Sequence, residues 1–137
     1  MSESAPSEGP ITRIRRPTLH DRTAELLMVE WTLPAIDSPT PQVHVHHHDD
    51  ELWYVMEGRL VSRLGDQESE TAPGGVVMAR HGTAHAFWCA GPAPTRCLTM
   101  MTKRGLQLLE ELEATPLRTQ EMVEAIFRKY DSEFLAG

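Results

Sequence analysis

Residues 44–51 read HVHHHDDE, four histidines and three acids in eight positions. Neutral imidazole nitrogens and carboxylate oxygens are the side-chain donors that divalent transition metals take. The chemistry this stretch suggests is therefore metal binding. The segment leading into it, QVHVH (42–46), alternates with period two, and residues two apart on a strand share a face. His44 and His46 then project together, away from Val43, Val45 and His47. After HHDD the chain resumes as ELWYVME (51–57), where Glu51 shares parity with Trp53 and Val55. A turn over residues 47–50 would bring Glu51 back towards the two imidazoles. Asp49 and Asp50 fall inside that turn, where exposed acids are common. Parity thus selects His44, His46 and Glu51. A solvated His/Asp loop is the competing reading, and the cluster alone does not decide between the two. A second segment, PGGVVMARHGTAHAFWC (73–89), carries His81 and His85 about Gly82. His85 opens an apolar strand there, where solubility does not account for it.

The surrounding elements are short. ELLMVEWTL (25–33), QVHVH, ELWYVME, RLVSRL (59–64), GVVMA (75–79), AHAFWC (84–89) and TRCLTMM (95–101) read as strands rich in branched and aromatic residues. AIDSPTP (35–41) reads as a loop and GDQESE (65–70) as a turn. Turn signals at this spacing predict an all-β sandwich or barrel over residues 11–102. The pattern then changes. Leu106, Leu109 and Leu112 recur at helical spacing, and after Pro116 a second stripe holds Met122, Val123, Ile126, Phe127 and Tyr130. Thr119 is a candidate N-cap for that second helix. Residues 103–137 are read as a helical extension packed on the barrel, with a lid or a dimer contact as the functional alternative. Residues 1–10 are small, polar and proline-bearing, and read as a disordered tail.

With 137 residues the chain is long enough for one domain with its own core. A formal charge of −7 disfavours nucleic-acid and anionic-membrane partners, and the densest basic stretch, RIRR (13–16), is four residues long. No apolar run reaches bilayer-spanning length, and the first ten residues lack the pattern of a signal peptide. A cytoplasmic protein is the expectation. Cys89 and Cys97 are then read as reduced, buried thiols. Neither a glycine-rich phosphate loop nor a G-x-S-x-G elbow occurs, which disfavours phosphoryl transfer and serine hydrolysis.

The arrangement His44-x-His46-x4-Glu51-x6-Gly58 resembles the first motif of cupins, and GGVVMARHGTAH resembles the second. Fifteen residues separate Gly58 from Gly74, similar to the shortest spacing in small bacterial cupins. The second motif departs twice, with Arg80 in place of the usual proline and Cys89 in place of asparagine; the first change puts the local turn in question. The resemblance implies a cupin-type antiparallel β-barrel (a double-stranded β-helix, or jelly roll) followed by two C-terminal α-helices. It also implies one divalent transition metal held by His44, His46, Glu51 and His85. Fe, Mn, Ni, Co, Cu and Zn all suit such a mixed nitrogen and oxygen set. His47, His48 and His81 have no ligand counterpart and are read as rim or surface residues. A homodimer is likewise implied.

Apolar residues on the ligand-bearing strands, Trp53, Val55, Met78, Phe87 and Met100, are the expected lining of a small-molecule pocket. Because cupins include enzymes, sensors and storage proteins, the fold alone does not choose the chemistry. The leading expectation, from likeness to quercetinase-like cupins, is a metal-dependent dioxygenase acting on a small enolic or aromatic compound, with Glu51 as catalytic base. A non-redox cyclase or isomerase and a non-catalytic binding module are the alternatives.

Overall fold

The structure is a computed structural model that describes residues 13–15, 24–35 and 42–135. The expected tail (1–10) and the proline-bearing segment after Ala35 lie outside these residues. The strands are β1 (Arg13–Arg15), β2 (Leu26–Leu33), β3 (His44–His46), β4 (Glu51–Glu57), β5 (Leu60–Leu64), β6 (Gln67–Thr71), β7 (Val76–Ala79), β8 (His85–Cys89) and β9 (Thr95–Thr102). Helices α1 (Lys103–Glu113) and α2 (Gln120–Lys129) follow, and the chain returns as β10 (Ser132–Phe134).

The strands form two antiparallel five-stranded sheets, ordered β1-β2-β9-β4-β7 and β10-β3-β8-β5-β6. The expected cupin jelly roll is therefore present. Among the described residues it is built as two facing sheets rather than one ring of hydrogen-bonded strands. Between them lies the main core, with Val29, Trp31, Trp53, Val55 and Met101 from the first sheet and Leu60, Phe87 and Cys89 from the second. Burial alternates along β2 and β9, as expected for strands with one face on a core. Strand β8 is buried on both faces: Phe87 joins the main core, while Trp88 packs with Val61 and Ala86 in a separate cluster.

Two segments depart from the sequence-based expectation. GDQESE is not simply a turn, because Gln67–Thr71 pairs along its whole length with β5. As an edge strand exposed on nearly every residue, it needs no apolar alternation and carries no such signal. The C-terminal extension is not purely helical either. Strand β10 adds to the edge of β3, with Ser132 opposite His46, Glu133 opposite Val45 and Phe134 opposite His44.

The helices join the barrel through specific caps. Helix α1 follows β9 directly, with Thr102 as N-cap accepting from the Gly105 amide. Thr119 caps α2 as anticipated, accepting from the Met122 amide at 3.2 Å. Ile126 and Phe127 of α2 pack against Leu108 of α1. Tyr130 Oη and Lys129 Nζ both donate to Glu111, tying the second helix to the first.

The motif glycine at position 58 is required by the backbone itself. Its φ is +80°, and a Cβ there would run into the Pro94 carbonyl oxygen and the Thr95 Cα. We predict that Gly58→Ala costs about 3 kcal/mol of unfolding free energy, from the left-handed backbone penalty plus the clash with main-chain atoms. Urea denaturation of the variant against the parent protein measures it.

Candidate metal centre

Three of the four candidate ligands sit on the edge where β3 meets β8, and the fourth faces them from β4. His44 is directly opposite His85 in the β3–β8 pairing, which places their rings 4.3 Å apart. His46 lies two residues further along β3, 5.3 Å from the His85 ring. Glu51 opens β4 in the facing sheet, between its cross-strand neighbours Ala79 and Met101, and points inward. One donor atom from each of His44, His46, Glu51 and His85 falls within 4.8 Å of all the others.

The outer nitrogens of the histidines decide what the inner ones present. His44 Nδ1 is 2.9 Å from the Gln42 carbonyl oxygen, and His85 Nδ1 is 2.9 Å from that of Thr83. A carbonyl only accepts, so both Nδ1 atoms carry a proton, and in the neutral rings both Nε2 atoms offer a lone pair. His46 Nδ1 is 2.7 Å from the Ser132 hydroxyl oxygen, which itself donates to the Tyr130 carbonyl at 3.1 Å. With that hydrogen on the Tyr130 carbonyl, the oxygen accepts from His46, and the neutral His46 ring then offers its Nε2 lone pair as well. Outer-nitrogen hydrogen bonds of this kind orient metal-ligating histidines.

In the electrostatics of the protein alone, a proton shared with Glu51 takes the place that a cation would fill. Burial, reinforced by neighbouring His85 and His46, brings His44 down to about 3, which keeps it neutral at ordinary pH. Burial works to raise the Glu51 carboxyl, but His46 and His85 outweigh it and hold the group well below the usual carboxylate range. The His46 Nε2 and His85 Nε2 atoms lie 3.4 and 3.6 Å from Glu51 Oε1. For His85 burial acts downward, and the Glu51 carboxylate more than offsets it, so its pKa is raised. His85 Nε2 is fully buried and, among the described residues, has no hydrogen-bond partner, with Glu51 Oε1 at 3.6 Å beyond hydrogen-bond distance, an arrangement that native interiors otherwise avoid. Three inward lone pairs and a carboxylate around one point suit a divalent transition metal, and the residues fit one.

Of the expected pocket residues, Trp53, Val55 and Phe87 face the core, and the Trp53 ring is 5.7 Å from that of His85. Met78 and Met100 do not. Both stand opposite Leu52, one residue out of step with inward-facing Glu51, so they lie on the outer face of the sheet. Met78 is 48% exposed, and the methionine beside Glu51 is Met101, at 2%. Asp49, read as an exposed turn acid, is buried. It accepts from Thr102 Oγ1 at 2.9 Å and pairs with Arg104 Nε at 3.4 Å. Asp50 caps the other loop, accepting from the backbone N–H and the ring of His81. That loop keeps its turn despite Arg80: the Thr83 amide donates to the Arg80 carbonyl, and Gly82 supplies φ +83°. His47 and His48 are exposed, as expected for surface residues. Both cysteines are buried free thiols, and Cys89 closes the turn after β8 by donating to the Ala93 carbonyl. Burial pushes the Cys97 thiol up to about 12. No helix among the described residues is long and apolar enough to cross a membrane.

Two further residues reach the site that sequence reading did not assign to it, although Phe127 stood on the expected helical stripe. Phe127 of α2 lies over the histidines, 5.5 Å from the His44 ring and stacked at 6.3 Å on that of His46. Ser132 reaches His46 from 86 positions away.

A jelly roll with three histidines and a glutamate turned into it defines a cupin. A model of the cupin domain matches residues 31–101, and the chain belongs to that family. A solved protein with a double-stranded β-helix domain from Klebsiella pneumoniae is similar in fold, with TM-score 0.55 and 22% identity, over 73% of this chain and 78% of that one. A sugar phosphate isomerase of the cupin superfamily from Silicibacter pomeroyi is 25% identical with TM-score 0.50, over 58% of this chain and 51% of that one. The uncharacterized protein SCO3923 of Streptomyces coelicolor is 34% identical over 55 residues, 40% of this chain and 52% of that protein. The chain thus matches about half the length of this curated relative.

We predict that the purified protein binds close to one Co²⁺ or Zn²⁺ per chain, and that His46→Ala and His85→Ala each lose most of it. Elemental analysis after dialysis measures the content; full retention in both variants would overturn the four-ligand assignment.

Proposed function

We propose that the chain is a metal-dependent oxygenase acting on a small, flat enolic or aromatic compound. The observation that carries the reading is the convergence of three bare imidazole nitrogens and one carboxylate at a buried point walled by aromatic rings. A bound metal would supply Lewis-acid attraction for a substrate hydroxyl and a place for dioxygen. The protein's own residues do the rest. Trp53 beside His85, and Phe127 over His44 and His46, present ring faces and edges that suit a planar substrate. Phe127 also keeps bulk water off the His44 side of the site. Glu51 is the carboxylate of the site and the group that would take the proton of the substrate hydroxyl.

Likeness to the Silicibacter pomeroyi enzyme favours a second reading, isomerisation of a phosphorylated sugar. Arg104, which braces the loop between β3 and β4, is already engaged by Asp49 and Asp131 and is not a free cation for a sugar phosphate. Incubating the metal-loaded protein with a panel of flavonols and other enols should consume oxygen in step with product. Product formed without oxygen uptake would move the function to the non-redox class.

The displaced methionines support a second proposal, a homodimer. Leu26, Met28, Tyr54, Val76 and Met78 are exposed on the outer face of one sheet, with Leu52 and Met100 half-buried among them. Monomers rarely expose so continuous an apolar area. At one end of the face, Arg96 pairs with both Glu30 and Glu57 and offsets part of their charge, which lessens the repulsion of a second copy. Sedimentation should give twice the 15.4 kDa chain mass, and Met28→Glu with Met78→Glu should return the monomer. A monomeric parent protein would refute this.

A further inference from the structure

The segment carrying α2 and β10 lies beyond the region matched by the cupin domain, residues 31–101, yet it reaches the ligand histidines directly. The three ligands differ in how their outer nitrogens are held. His44 and His85 donate to carbonyls two residues away in their own chain segments. Their orientation is built into the local backbone. Among the described residues His46 has no such local partner, and its Nδ1 meets the hydroxyl of Ser132.

We propose that Ser132 is a positioning residue of the metal centre, holding His46 in the tautomer that presents a bare Nε2 to the ion. The proposal rests on the metal-binding reading above and concerns a residue outside the cupin motifs. Several features fix the contact. Ser132 stands directly opposite His46 in the β3–β10 pairing, so both side chains leave the same face of the sheet. Ser132 is 3% exposed, so water does not compete for the bond. Its single hydrogen goes to the Tyr130 carbonyl, which leaves the oxygen only an accepting role towards His46. The strand is pinned on either side, by the His47 amide on the Asp131 carbonyl at 3.0 Å and the Leu135 amide on the Val43 carbonyl at 2.8 Å. Arg104 holds the Asp131 side chain at the turn that precedes it. Without the hydroxyl, Nδ1 would face a buried site with nothing to accept its proton. The proton would then move to Nε2, where Glu51 Oε1 lies 3.4 Å away, and the ligand nitrogen would be blocked.

Long-range ¹H–¹⁵N spectra of the histidine rings, with Co²⁺ affinity measured by competition against a chromophoric chelator, test this. In the metal-free parent protein His46 should read as the Nδ1–H tautomer; an Nε2–H reading would overturn the proposal without any variant. Ser132→Ala should shift His46 towards Nε2–H, leave His44 and His85 unchanged, and weaken Co²⁺ binding about tenfold or more. Ser132→Thr, which keeps the hydroxyl, should bind within about twofold of the parent. Unchanged affinity and an unchanged His46 spectrum in Ser132→Ala would refute the role, as would equal losses in the Ala and Thr variants with the ring spectra of His44 and His85 preserved. If the parent protein binds no Co²⁺, the metal reading fails instead, and the tautomer spectra still decide the assignment of Ser132.

Discussion

Three imidazole lone pairs and a carboxylate aimed at one point repel one another, and most of this molecule's design is arranged around that conflict. Each neutral histidine has its proton committed on the outer side, so donating inward from Nε2 takes either a second proton on the ring or the loss of that outer hydrogen bond. Only a positive charge at the centre resolves the repulsion. A proton held between His85 and Glu51 does so partly; a divalent ion would satisfy all four groups at once. Keeping such an arrangement folded costs free energy, and the cost falls on the scaffold.

The scaffold meets it with register. Pairing of β3 with β8 sets His44 against His85, pairing of β4 with β7 and β9 sets Glu51 inward, and pairing of β3 with β10 sets Ser132 against His46. A slip of one residue in any of these would turn its ligand to the opposite face. The loop between β3 and β4 is stiffened accordingly. Buried Asp49 ties it to the N-cap of α1 and to Arg104, while Asp50 ties it to the loop that precedes His85. Two acids that look like solvation are cross-braces between the ligand loops.

How much of this was legible in the sequence depended on whether the signal was local. His44, His46 and Glu51 could be chosen by strand parity, and the spacing of the two motifs pointed to the cupin fold and to His85. The pocket was read less well, for a specific reason. Along β4, β7 and β9 both faces of the sheet carry apolar residues, so Met78 and Met100 look as inward as Trp53 and Met101. Hydrophobicity separates faces only when one of them is polar. The polar edge strand β6 was invisible because nothing on it is buried. Asp49 was misjudged because an acid in a turn is usually solvated, and its partners Thr102 and Arg104 are more than fifty positions away. Ser132 left no trace at all: a serine near a helix end is ordinary, and its meaning comes wholly from a strand pairing across 86 positions.

That pairing also sets an order of events in the making of the protein. Strands β2 to β9, with all four ligand residues, emerge from the ribosome well before residue 132. They can collapse into facing sheets while β3 still has a free edge. In that interval His46 lacks its outer partner, and nothing prevents its ring from turning or its proton from changing nitrogens. Only when residues 132–134 dock does the centre acquire its final donor set. An ion offered to the half-finished barrel would meet a histidine free to turn, and the full set of four candidate ligands would be presented only once the chain beyond α2 has docked.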